Sequence, residues 1–268
     1  RNELDLQASA VALIDADGSN FRILTDIPGE IDSHPAWSPD GPQILFISSD
    51  DSQLKMLWNV LALDLFIINV DGTGRRRFTN TPLVVEADPY WGLNGWVTFL
   101  RAPLLDVLRG EPAQVYIMDE NGEDLTQVSH VEPGGRTLIG FSTGPYDPVW
   151  DAAGERLAWS LVPSELRGLA RIGDFDLIIV DPFGQEFEIS PNPYPDVMPR
   201  WSPDGRRLAF WTLFGHDNGE WVFWDIYTIT PDGRRRTNLT RDLADDASMP
   251  DWFPEGRIIF TSVKQQGG

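Results

Sequence analysis

The chain has 268 residues, 41% of them apolar and 11% aromatic, which separates it from disordered tails and leaves material for a sizeable core. With 41 acidic against 21 basic residues its formal charge is −20, so phosphate backbones are repelled and nucleic acid is excluded as a partner. There is no Cys, hence no disulfide or thiolate metal site, and the longest apolar stretch, 57–70, is broken by Asn59, Asp64 and Asn69, short of the roughly 20 residues a spanning helix needs.

Residues 1–10, beginning at Arg1, hold no apolar core of their own and read as the start of a mature chain after removal of an export signal, so a periplasmic or extracellular location is expected. The first element, 11–25, is a hairpin: an apolar strand, an Asp/Gly turn and a second strand in ALIDADGSNFRILT. At 34 comes a different phrase, HPAWSPDG, followed by the β-prone run ILFIS. The two phrases then alternate. FIINVDGTGRRRFT repeats the hairpin, DPYWGLNG with WVTFL repeats the Trp phrase, and YIMDENGEDLTQVS, DPVWDAAG, LIIVDPFGQEFEIS, MPRWSPDG, IYTITPDGRRRTNL and MPDWFPEG follow in order.

Every Trp phrase is Pro-x-Trp-x-x-x-Gly, with Trp37, Trp91, Trp150, Trp201 and Trp252 spaced 54, 59, 51 and 51 residues apart. Two hairpins per period of about 50 residues make a four-stranded antiparallel sheet, the unit of a propeller blade, which buries both faces by packing on its neighbours. The fold class is therefore all-β, a single five-bladed β-propeller with blades over about 27–80, 81–128, 129–190, 191–241 and 242–268. The last blade is expected to be completed by 8–26, N-terminal outer strands pairing with C-terminal inner strands and closing the ring.

WSPDG followed by a β run, together with DADGSN and DGTGRRRFT, resembles the TolB-like family of WD-repeat-type propellers over about the whole chain. The copies Gly92-Leu93-Asn94-Gly95 and Asp151-Ala152-Ala153-Gly154 lack Ser-Pro-Asp but keep Pro, Trp and Gly. The resemblance implies a binding or scaffold propeller in a cell-envelope or extracellular assembly, with a protein partner and no catalytic residues. The family's type member has six blades and a further N-terminal domain, against five Trp phrases here.

The connections 49–64, 101–114, 162–174 and 213–225 are longer than hairpins require, and binding residues tend to be on loops presented by a rigid scaffold. They are also apolar, so Leu57, Trp58, Leu104, Leu105, Trp221, Phe223 and Trp224 form the expected contact surface. Five residues before the repeat Trp are Asp32, Glu86 and Asp196; three before it are His34, Asp88 and Asp147. These six are expected to rim the channel mouth as a hydrated acidic face, with Asp88 and Asp147 the candidate position for a cation such as Ca²⁺. No cofactor is otherwise indicated.

Gly140-Phe141-Ser142-Thr143-Gly144 spells G-x-S-x-G, but Pro145 follows where a helix is needed, so no serine hydrolase is read from it. His34, His130 and His216 show no zinc spacing. Asp15–Asn20 reads as a hairpin turn, and Arg75–Arg77 and Arg234–Arg236 as charges that protect sheet edges. The enzymatic alternative is a glycoside hydrolase using two of the channel-mouth carboxylates.

Overall fold

A computed structural model describes residues 9–15, 17–49, 63–132, 144–162, 175–181, 183–192, 194–215, 222–243 and 246–263. Within them the strands run β1 (Ala12–Leu13), β2 (Arg22–Ile23), β3 (Asp32–Trp37), β4 (Gln43–Ser48), β5 (Asp64–Asn69), β6 (Arg76–Arg77), β7 (Val84–Trp91) and β8 (Val97–Pro103). A short helix, α1 (Leu104–Arg109), leads to β9 (Gln114–Met118), β10 (Thr126–Gln127), β11 (Gly144–Trp150), β12 (Leu157–Val162), β13 (Asp176–Val180) and β14 (Glu186–Glu188). The last six are β15 (Asp196–Trp201), β16 (Leu208–Gly215), β17 (Val222–Ile229), β18 (Thr237–Asn238), β19 (Asp246–Trp252) and β20 (Ile258–Val263).

Strands β3 to β18 form four antiparallel sheets of four strands each, in chain order from inner to outer. The architecture is all-β and propeller-like, with the inner strands β3, β7, β11, β15 and β19 each against the next. The Pro of each Trp phrase has no N–H to give the ladder, so each inner strand breaks register there. The residue before that Pro takes a left-handed backbone: His34, Asp88, Asp147, Met198 and Met249 all have φ between 48° and 55°. The repeated Pro thus aims one side chain per period out of the ladder.

A second repeated device locks the outer hairpins. The hydroxyls of Thr25, Thr79, Ser129, Ser190 and Thr240 accept the N–H of Val11, Leu65, Val115, Leu177 and Ile226 at 2.8–3.0 Å. The core lies between sheets. Leu45, Ile47, Leu65 and Ile67 of the first pack on Trp91, Val97, Phe99 and Met118 of the second, and the pattern recurs across the next two junctions. Each fully buried side chain of this size contributes about 1.5–3 kcal/mol.

The expected fifth sheet is absent among the described residues: β1–β2 and β19–β20 are separate two-stranded sheets. The N-terminal hairpin lies on the first complete sheet. Val11 packs with Ile44, Phe46, Phe66 and Ile68 of the first complete sheet, Ser9 bridges Ile31, and Asp32 N–H donates to the Ser9 carbonyl at 3.0 Å. No comparable contact joins β19 to β3, and Trp37 is 52% exposed where Trp91 and Trp201 are 7% and 8%.

Candidate functional site between the inner strands

Four of the left-handed residues, His34, Asp88, Asp147 and Met198, and the strand ends that follow them line a cavity of about 620 Å³. Its lining runs from His34, Asp88, Asp147 and Met198 to Ser38, Pro39 and Leu93, so it reaches the tight-turn end of the inner strands rather than the end with the long connections. His34 Nε2 is 3.6 Å from Asp88 Oδ1, its Nδ1 3.1 Å from the Ser33 hydroxyl. Burial, then the neighbouring Asp88 carboxylate, push Asp147 up to about 6, against the opposing pull of Arg200 and His34. Tyr90 is also shifted upward by burial, with Arg200 pulling it down and Asp251 adding to the rise, so its phenol keeps its proton. The cavity therefore joins one carboxylate that is neutral in mildly acidic solution to two more, Asp88 and Asp251, with an imidazole, a guanidinium and a phenol.

Of the six residues expected at the rim, the structure brings His34, Asp88 and Asp147 together in this cavity. Asp32, Glu86 and Asp196 are buried in their own sheets. Asp196 takes a bidentate pair from Arg236, whose guanidinium covers Phe210 and Tyr227 at 5.1 and 4.7 Å. Glu86 lies 3.3 Å from Arg101 and accepts the hydroxyls of Thr79 and Thr81; burial raises its pKa despite them. Asp32 lies 3.6 Å from Arg75. The Arg runs are accordingly not only edge protection: Arg75 and Arg236 turn inward to these carboxylates, and Arg77 pairs with Asp64 at 2.5 Å. No sequence signal separates the two acidic positions, because both precede the same Trp; only the bulge between them turns one inward to its sheet and the other to the cavity.

Of the apolar contact surface, Leu57, Trp58 and Trp221 lie outside the described residues, as does Ser142 of G-x-S-x-G. Leu104 is buried at the start of α1, Leu105 beside it is exposed, and Phe223 and Trp224 are in β17. The Trp224 ring is tilted against Trp211 at 4.1 Å. Among the described residues no three His, Asp or Glu side chains are grouped to hold a metal ion, and no helix is long and apolar enough to cross a membrane. The pair Asp88 and Asp147 supplies two carboxylates where Ca²⁺ takes six to eight oxygens.

No family model and no curated protein matches the chain. Solved structures do. A putative TolB from Agrobacterium tumefaciens aligns over 95% of this chain and 77% of its own, at 18% identity and TM-score 0.65. TolB from Acinetobacter baumannii aligns over 92% of this chain at 15% identity and TM-score 0.63, and the chain spans about half of it, 52%. An oligogalacturonate lyase from Vibrio parahaemolyticus aligns over 94% of this chain and 68% of its own, at 13% identity and TM-score 0.61. The fold is that of a TolB-like β-propeller. The expectation of a binding or scaffold propeller that is not an enzyme is corrected: the lyase has the same fold, so the fold does not separate this chain from enzymes.

Proposed function

We propose that this TolB-like β-propeller is a binding module of a cell-envelope or extracellular assembly, and that its partner inserts a basic side chain into the cavity between the inner strands. The observation that carries the reading is the convergence of Asp88, Asp147 and Asp251 with one Arg200 in a single cavity. Above the Asp147 pKa this set is net negative, and in a partly desolvated site that attraction is worth more than in water. The aromatic walls, Trp37, Tyr90 and Trp91, offer faces to the stem of an Arg or Lys. The same fold in TolB structures fits a binding or scaffold role. The test is titration of short Arg-containing peptides, with acidic peptides as controls, followed by tryptophan fluorescence. Basic peptides are expected to bind, to weaken with salt, and to lose at least tenfold in affinity in the Asp88→Asn, Asp147→Asn double variant. Equal response to basic and acidic peptides would reject the reading.

A second reading is favoured by one observation, the Asp147 pKa of about 6 beside Asp88. Two carboxyl groups held in different protonation states are what acid–base chemistry on a glycosidic bond uses. In that case Asp147 gives the proton and Asp88 is the second carboxyl group of the pair. Incubation with a glycan panel between pH 5 and 7 checks it: turnover abolished by Asp147→Asn would replace the binding reading.

A further inference from the structure

Two positions of the repeat line the cavity between the inner strands, and they carry different chemistry. Three residues before the repeat Trp, Asp88 and Asp147 offer acceptors to a cation. One residue before it, at the x of Pro-x-Trp, Ala36, Tyr90, Val149, Arg200 and Asp251 all reach the same cavity, and here donors are placed. Arg200 Nη1 donates to the carbonyl of its own neighbour Pro199 at 2.9 Å, and among the described residues no carboxylate oxygen lies within 4.0 Å of the guanidinium. Arg75, Arg101, Arg156 and Arg236, also partly buried, differ in this respect, since each has a carboxylate within 3.3 Å. Burial raises the Tyr90 pKa and Arg200 opposes the rise, so the phenol keeps its proton beside the guanidinium, and its hydroxyl has no hydrogen-bond partner among the described residues. Asp251, the carboxylate of this second layer, is exposed and accepts the Trp252 N–H at 2.9 Å.

A guanidinium partly withdrawn from water, with no carboxylate of the protein on its fork, is a receptor for a planar anion. We infer, on the binding reading above, that the cavity recognises a dipolar segment: a basic group against Asp88 and Asp147, and a carboxylate of the same ligand on Arg200 and Tyr90. The two layers are two residues apart along the strands, about 6–7 Å. That span suits the side-chain cation and the α-carboxylate of one extended Arg or Lys, or a basic residue followed by Asp or Glu. A ligand that carries only a base meets Arg200 as an uncompensated like charge, and the added carboxylate removes that opposition. His34, 3.6 Å from Asp88, and the exposed Asp251 are the other charged or titratable side chains of the cavity; neither supplies Arg200 with an ion pair. Arg200 is thus the specificity-determining residue, separating dipolar ligands from simple cations.

Three forms of one short peptide test this in the unmodified protein: one ending in Arg with a free carboxylate, one ending in Arg amide, and one ending in Arg-Asp amide. With a net charge of −20 the protein repels an added carboxylate at long range, so any gain from it reports a local contact. Tryptophan fluorescence at low salt is expected to show the free acid, the Arg-Asp amide or both binding at least tenfold more tightly than Arg amide. A gain confined to the free acid assigns the carboxylate to a chain end; a gain with Arg-Asp amide assigns it to a neighbouring side chain. In Arg200→Gln the gain should disappear while Arg amide binds more tightly, a like charge having gone, which also shows that the variant is folded. Arg200→Lys should keep part of the gain. Equal binding of the three forms by the unmodified protein overturns the inference and leaves the binding reading standing, as does a gain that survives Arg200→Gln. If no form binds, the binding reading itself fails, and this inference with it.

Discussion

Asp147 shows how one residue couples the cavity to stability. Its folded pKa of about 6 is above the unfolded 3.8, so between these values the folded state holds the proton the unfolded state has released. Its contribution is fully present below about pH 4 and is lost as pH rises to 6 and beyond. The shift corresponds to about 3 kcal/mol at most, and its partial exposure reduces this to about 1–2 kcal/mol. Asp147→Asn is therefore expected to raise stability at pH 7.5 and to leave it nearly unchanged at pH 4, as read from urea midpoints. An equal effect at both values would refute the assignment. Asp196 is held differently, buried in its sheet against a guanidinium. Arg236→Met leaves it buried without that bidentate pair and should cost about 3–5 kcal/mol, whereas removing Asp196 as well should recover part of the loss.

At the scale of the element, the outer hairpins depend on one hydroxyl each. Ser129→Ala strips the Val115 N–H of its acceptor in a site with no water access, for a loss of about 1–3 kcal/mol in chemical denaturation. Thr73→Ala, at an exposed turn tip, should stay within about 0.5 kcal/mol. A loss at Ser129 no larger than that at Thr73 would mean the lock is incidental. These hydroxyls are visible in the sequence as the Thr or Ser that ends each hairpin phrase, yet their partner, about 14 residues earlier, becomes apparent only once the strands pair. The bulge is a similar case. Pro before x-Trp announces a break in the ladder, while the left-handed turn of the preceding residue follows from how the two strands resume register.

For the whole molecule the net charge of −20 exerts self-repulsion that salt screens, so the thermal midpoint should rise by several degrees between about 0.02 and 0.5 M NaCl. A flat response would mean that the excess carboxylates lie too far apart to repel one another appreciably. The sequence by itself determined the all-β propeller architecture, because a short-range pattern of Pro, Trp, Gly and alternating apolar residues recurs at a fixed period and each copy has one way to fold locally. It also placed His34, Asp88 and Asp147 as equivalents. Only the tertiary structure decided that these three share a cavity while Asp32, Glu86 and Asp196, each two residues before the left-handed position of its own repeat, are buried against Arg. It alone decided, too, that among the described residues β1–β2 and β19–β20 are separate two-stranded sheets, with Val11 packed on the first complete sheet. Both outcomes depend on packing between segments far apart in the chain, where the burial of Val11 or the reach of a guanidinium sets the energy and no local pattern encodes it.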